Sequence, residues 1–243
     1  MLEPQLETDF LLNQLIPSME GGDNLLTEFE IMGIIRKARR TPDRHEGLLV
    51  EGLAQLVAGR MEEGIELCER SISLNKYDHV AWLNFGVTVA SRGYHKLQSD
   101  LLSRAMEYDL VDVHIKALSM GTFWLDEDMF NRALSFLIKT GVYNTALDDK
   151  KKSEVKFMQK LSSNMTLLSP FAQIAKDIAD EARLTTANSN LYGDEEHGYC
   201  YALYIKGADC KTLIDLNDLA LEKIIEKNLH TRDCITLFVS EDK

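Results

Sequence analysis

The side chains best suited to nucleophilic or metal chemistry are four cysteines, Cys68, Cys200, Cys210 and Cys234, and six histidines, His45, His79, His95, His114, His197 and His230. Their spacing supports little of that chemistry. No CxxC pair occurs, so neither a zinc ribbon nor a thioredoxin-type redox motif is expected. HExxH, GxGxxG, the phosphate-binding GxxxxGK loop and GxSxG are also absent. A cysteine nucleophile needs a base within hydrogen-bond reach and a lowered pKa. His197 and Cys200 are three residues apart across an expected strand start, which would point them to opposite faces. Cys200 and Cys234 read as small residues of a strand core. The expectation is a chain with no catalytic residues, no cofactor and no metal, its thiols reduced in a cytoplasm.

The elements that position these residues are set by composition and periodicity. The chain has 243 residues, 27 Lys plus Arg against 39 Asp plus Glu, and a formal net charge of −12. Hydrophobic residues make up 45%, enough to bury a core in one large domain or two small ones. The acidic balance argues against nucleic acid and anionic membrane as partners. The N-terminal stretch MLEPQLETDF has no basic segment followed by an apolar run, so no secretory signal is expected. No apolar run approaches the roughly 18–20 residues that cross a bilayer.

The informative pattern is an internal repeat. Gly52 and Gly86 are 34 residues apart, as are Gly59 and Gly93, and Gly121 follows Gly86 by 35. A period of this length marks stacked helix–turn–helix units. In each unit a small residue (Gly52, Gly86, Gly121) would let two helices approach closely, and Gly59 and Gly93 would supply the turn. Trp82, Phe85 and Val89 fall on one helical face. The middle unit, with Trp82, Phe85, Gly86, Val89, Gly93, Leu102 and Ala105, resembles the tetratricopeptide repeat. The first unit carries Leu48, Gly52, Gln55, Gly59, Gly64, Cys68 and Ser71 at matching places. The third is degenerate, with Ala117, Met120, Gly121, Trp124, Phe130, Ala133 and Leu137, and has Asp128 where the turn glycine would be. The resemblance covers residues 45–141.

The flanks complete a mainly α fold. Residues 5–19 and 24–40 read as helices split by Gly21–Gly22, with Asp23 or Asn24 as a cap for the second. Arg36, Lys37, Arg39 and Arg40 form a basic end to that helix, suited to its C-terminal dipole or, alternatively, to an acidic partner. Residues 151–167 and 170–186 read as helices, opened by a solvated Lys150–Lys151–Lys152 run and by Ser169–Pro170. The polar segment 185–198 reads as a linker. Beyond it, 199–206 and 234–239 read as strands around a helix near 212–229, a strand–helix–strand element whose crossover length suits parallel strands. The expected division is 1–44 capping helices, 45–141 three repeats, 142–186 further helices and 187–243 a small α/β domain.

The resemblance implies a curved solenoid whose concave face comes from the first helix of each unit. Carrying over the family's positions places Leu49, Leu53 and Leu56, then Val80, Leu83, Asn84 and Val87, then Ile115 and Leu118, in a partner-binding groove. A carboxylate clamp of the kind that holds chaperone C-termini is not supported, since Leu49, Leu53, Asn84, Ile115 and Ser119 stand at its positions and only Asn84 matches. An apolar groove is filled either by a partner segment or by the chain itself, through its N-terminal helix around Phe10, Leu11, Leu12 and Leu15 or through its C-terminal part. The expected function is a cytoplasmic adaptor or chaperone binding a protein or peptide segment. The stretch LNKYDHVAWLNFG also resembles three-repeat chaperones of type III secretion translocators. The alternative is an acidic inhibitor, antitoxin or immunity-type regulator occluding a basic partner through Glu62, Glu63, Glu66, Glu69 or Asp194, Glu195 and Glu196. A homodimer could form through an uncovered solenoid end or the edge of the sheet.

Overall fold

The computed structural model describes residues 4–194, 196–230 and 233–241. Helices dominate, with one small sheet near the C-terminus. The chain divides into two compact units, Met1–Val113 and His114–Lys243. The first two repeats therefore fall in one unit and almost all of the third in the other.

The first unit holds α1 (Pro4–Gly21), α2 (Glu28–Ala38), α3 (Arg44–Val57), α4 (Met61–Leu74), α5 (His79–Ala90) and α6 (His95–Ala105). Helices α3 and α4 form one hairpin and α5 and α6 the next. Gly59 and Gly93 turn these hairpins with φ of 81° and 78°, a left-handed conformation that side chains with a Cβ resist. Helix α3 is the centre of the unit. It touches α1, α2, α4 and α5, and every residue from His45 to Val57 except Glu46 is buried.

Its buried polar side chains, His45, Glu51 and Gln55, are each matched. Glu51 receives Arg39 at 2.8 Å. His45 sits between the Ser71 carbonyl and hydroxyl at 2.9 Å and the Asp78 carboxylate at 2.7 Å. Gln55 accepts a hydrogen bond from Arg60. Helix α2 starts later than its sequence suggests. Neither Asp23 nor Asn24 caps it; Thr27 and Glu30 form a reciprocal capping box, while Asn24 closes a turn onto the Leu26 amide.

The close-approach glycines are not equivalent. A Cβ on Gly52 would meet the Cys68 sulfur at 2.6 Å and its amide nitrogen at 2.9 Å. One on Gly86 would meet only Gln98 at 3.8 Å, an ordinary contact, so the expected tight crossing there is absent.

The second unit contains α7 (Val111–Phe123) from His114 onward, α8 (Glu127–Lys139), the short α9 (Val142–Thr145), α10 (Asp149–Leu161), α11 (Met165–Glu181), β1 (Thr186–Asp194), β2 (Gly198–Ile205), α12 (Cys210–Glu226) and β3 (Cys234–Ser240). Gly121 packs against the Phe130 backbone, where a Cβ would come within 2.8 Å. The expected equivalence of Asp128 to the turn glycine fails, because Asp128 lies in the first turn of α8 and Leu125 takes the left-handed conformation at φ 48°. Helix α11 begins at Met165, not at Pro170. Met165 and Leu168 extend the buried stripe of Phe171, Ala172 and Ala175, and that burial outweighs the one backbone bond Pro170 cannot make.

The expected linker is largely a strand. β1 pairs antiparallel with β2 from Thr186–Ile205 to Asp194–Gly198, and β2 pairs in parallel with β3, giving the order β1-β2-β3. One face of the sheet packs on α11, with Tyr201 and Phe238 fully buried. Its polar atoms are satisfied: Tyr201 and Ser189 donate to the Phe123 carbonyl at 2.7 and 2.8 Å, and Thr236 to the Phe171 carbonyl at 2.8 Å. On the far side of β3 the Asn217 amide of α12 donates to the Phe238 carbonyl at 3.1 Å and accepts from its N–H at 2.7 Å.

The glycine geometry gives a differential expectation. Gly52→Ala and Gly121→Ala should each cost about 1–3 kcal/mol through overpacking. Gly86→Ala should be neutral or stabilising by up to about 1 kcal/mol, as a helix gains from losing a glycine without strain. Urea denaturation of the three variants checks this; equal losses at all three sites would contradict the geometry.

Candidate functional site

The expected groove residues lie on three helices and meet different fates. On α3, Glu46, Leu49, Leu53 and Val57 share a face at i, i+3, i+7 and i+11. Both ends of that face are tied to α1. At one end Thr8 donates to the Glu46 carboxylate at 2.8 Å. At the other the Arg92 guanidinium reaches the carbonyls of Ser18 on α1 and Val57 on α3, at 3.3 and 3.5 Å. A second Arg92 nitrogen donates to the Thr88 carbonyl of α5 at 3.3 Å and the Ser91 hydroxyl at 3.1 Å. Burial holds the Arg92 pKa below the usual guanidinium value, partly offset by the charge of Asp23. Arg92 thus links three helices at one corner.

Between these ties, α1 packs on both α3 and α5. Its buried positions Thr8, Leu11, Leu12, Leu15, Ser18 and Met19 follow helical periodicity. Leu11 and Leu15 are 0% exposed and Met19 1%. Leu49 and Leu53 are buried with them. Leu56 is also buried, but it faces inside the hairpin, where its side chain occupies the space a Cβ on Gly64 would need. Phe10, grouped by sequence with the groove-filling residues, points outward at 52% exposure.

On α5 the picture is more open. Val80, Leu83, Asn84 and Val87 form a stripe at i, i+3, i+4 and i+7. Val80 is 38% exposed and the other three are partly buried. Among the described residues no hydrogen bond engages the Asn84 side-chain amide; the Thr88 hydroxyl donates to the Asn84 backbone carbonyl instead. Ile115 is partly buried and Leu118 fully buried on α7, within the other compact unit.

The reactive residues are dispersed. Cys68 is buried behind Gly52, and desolvation raises its thiol pKa far above the normal range. Burial pushes Cys234 up to about 12 and raises Cys200 as well. Cys234 pairs with Tyr199 and Cys200 with Ile235, so the two thiols project to opposite faces of the sheet. His197 bonds Asp194 at 2.8 Å in the β1–β2 turn, and its backbone and ring hold that carboxylate below its usual pKa. Glu195 lies outside the described residues. Among the described residues no cluster of three or more His, Cys, Asp or Glu could hold a metal ion, and no helix is long and apolar enough to cross a membrane.

Sequence reasoning missed Arg92 as the corner tie, because its partners are carbonyls 35 and 74 residues away and carry no side-chain signal. Comparison with protein-family models, with curated proteins and with solved structures finds no match to this chain.

Two outcomes follow. Arg92→Met keeps the stem and removes the guanidinium; the orphaned carbonyls should cost about 1–3 kcal/mol. Hydrogen exchange should quicken over residues 8–19 and stay slow in α4. Iodoacetamide at neutral pH should label exposed Cys210 first and Cys200 more slowly, and Cys68 and Cys234 only on unfolding, as read by mass spectrometry.

Proposed function

We propose that this chain is a non-enzymatic protein-interaction module, a tetratricopeptide-like adaptor or chaperone. Its concave surface takes an apolar peptide or helix along Val80, Leu83, Asn84 and Val87. The observation that carries this reading is the seating of α1. An amphipathic helix lies against α3 and α5 with Leu11, Leu15 and Met19 buried, so the surface accepts a helix by ordinary side-chain burial. The α5 stripe keeps partly open aliphatic groups and an amide with both donor and acceptor capacity, which suits the backbone of an added segment. The raised thiol pKa values and the dispersed histidines favour a binding role over a catalytic one. The acidic-regulator reading has less to support it, since Glu69 on α4 is already paired with Arg104 at 2.8–2.9 Å.

The test is photocrosslinking in the native cell, with benzoylphenylalanine replacing Leu83 and, as a control, Glu66. A defined polypeptide adduct from position 83, lost when Val80 and Val87 are changed to Asp, is the expected result. Equal adducts from both positions, or adducts that survive the Asp changes, would sink the groove reading.

A further inference from the structure

On the outer side of α2, Phe29, Gly33 and Arg36 follow one another at i, i+4 and i+7, opposite the buried Ile31, Ile34, Ile35 and Ala38, and Arg40 follows in the turn just past the helix end. Phe29 is 82% exposed. Lys37 lies beside this stripe with its ammonium 5.9 Å from the Phe10 ring centroid.

Three observations set this surface apart. Its cations lack carboxylates, although the chain has 39 acidic residues to 27 basic ones. Every acidic residue from 28 to 51 is engaged elsewhere. Glu28 pairs with Arg60, Glu30 caps α2 at Thr27, Asp43 caps the His45 and Glu46 amides, Glu46 accepts from Thr8, and Glu51 holds Arg39. Arg36 and Arg40 have no ion pair among the described residues. Second, Phe29 is a large aromatic ring left in water where a helix would accept any polar residue. Third, Gly33 interrupts the helix interior, where glycine is disfavoured, yet a Cβ there would meet nothing within 4 Å. Packing within the chain does not require it. A glycine without an internal reason, between an exposed aromatic ring and two free arginines, leaves a dip into which another backbone can come close.

We propose that the outer face of α2 is a second interaction surface, for an acidic polypeptide segment. Its carboxylates meet Arg36 and Arg40, an apolar side chain lies on Phe29, and its backbone passes close at Gly33. The guanidinium forks suit carboxylates in bidentate geometry, and short screening lengths confine the attraction to this patch despite the negative charge of the whole chain. This surface is separate from the α5 stripe, and its failure would leave that reading intact.

The experiment uses the full chain against a displayed library of random 16-residue peptides. The expected result is a selected pool rich in Asp and Glu beside large apolar residues, with affinity that falls as salt rises. Arg36→Glu with Arg40→Glu should abolish enrichment. Gly33→Gln should raise the melting temperature, since it removes a helical glycine, yet weaken binding at least tenfold. No acidic enrichment, or the same pool selected by the arginine variant, would overturn the proposal. So would arginine-dependent pelleting with phosphatidylserine vesicles without peptide enrichment, which would assign the patch to a membrane. Arginine-dependent self-association in sedimentation, again without enrichment, would assign it to a second copy.

Discussion

The first unit rests on burying α3 around almost its whole circumference. Such a helix cannot shed its polar groups into water. Each must find a partner inside, because an unpaired buried charge or amide costs more than most packing gains return. That constraint places Arg39 at the end of α2 for Glu51, Asp78 ahead of α5 for His45, and Arg60 at the start of α4 for Gln55. The neighbouring helices are therefore registered by polar matches as well as by shape. Gly52 adds the steric condition, since α4 passes too near for any side chain there.

Much of this was legible in residue spacing. The 34-residue period marks the turns at Gly59 and Gly93 because left-handed backbone leaves a compositional trace. The same period misleads at Gly86, where the second hairpin is spaced more loosely and the glycine has no tight contact to relieve. Helix starts were less legible. At α2 the start is set by the Thr27–Glu30 box and not by the earlier Asp23 or Asn24, and at α11 the burial of Met165 and Leu168 overrides Pro170.

The strand β1 was invisible for a different reason. Its sequence TANSNLYGD carries the residues of a turn, and its outward positions Asn188, Asn190 and Tyr192 face away from α11. Pairing with β2 decides its structure, and pairing is a property of two segments. The candidate site shows the same divide. The positions carried over from the repeat resemblance grouped Leu49 and Leu53 with Leu56, which turns into the hairpin against Gly64. Which positions of α3 and α5 stay open depends on where α1 comes to rest, tied at one end by Thr8 to Glu46 and at the other by the carbonyl contacts to Arg92.

The side chain of Asn217 closes the outer edge of β3 by offering Phe238 one donor and one acceptor, as a neighbouring strand would. A single amide stands in for a fourth strand at this point. Growth of the sheet by templated addition is thereby blocked along β3 at its middle, and any extension is diverted to β1, whose Asn- and Gly-containing sequence is a poor template for ordered stacking. One residue on a helix thus limits how far this sheet can propagate between molecules.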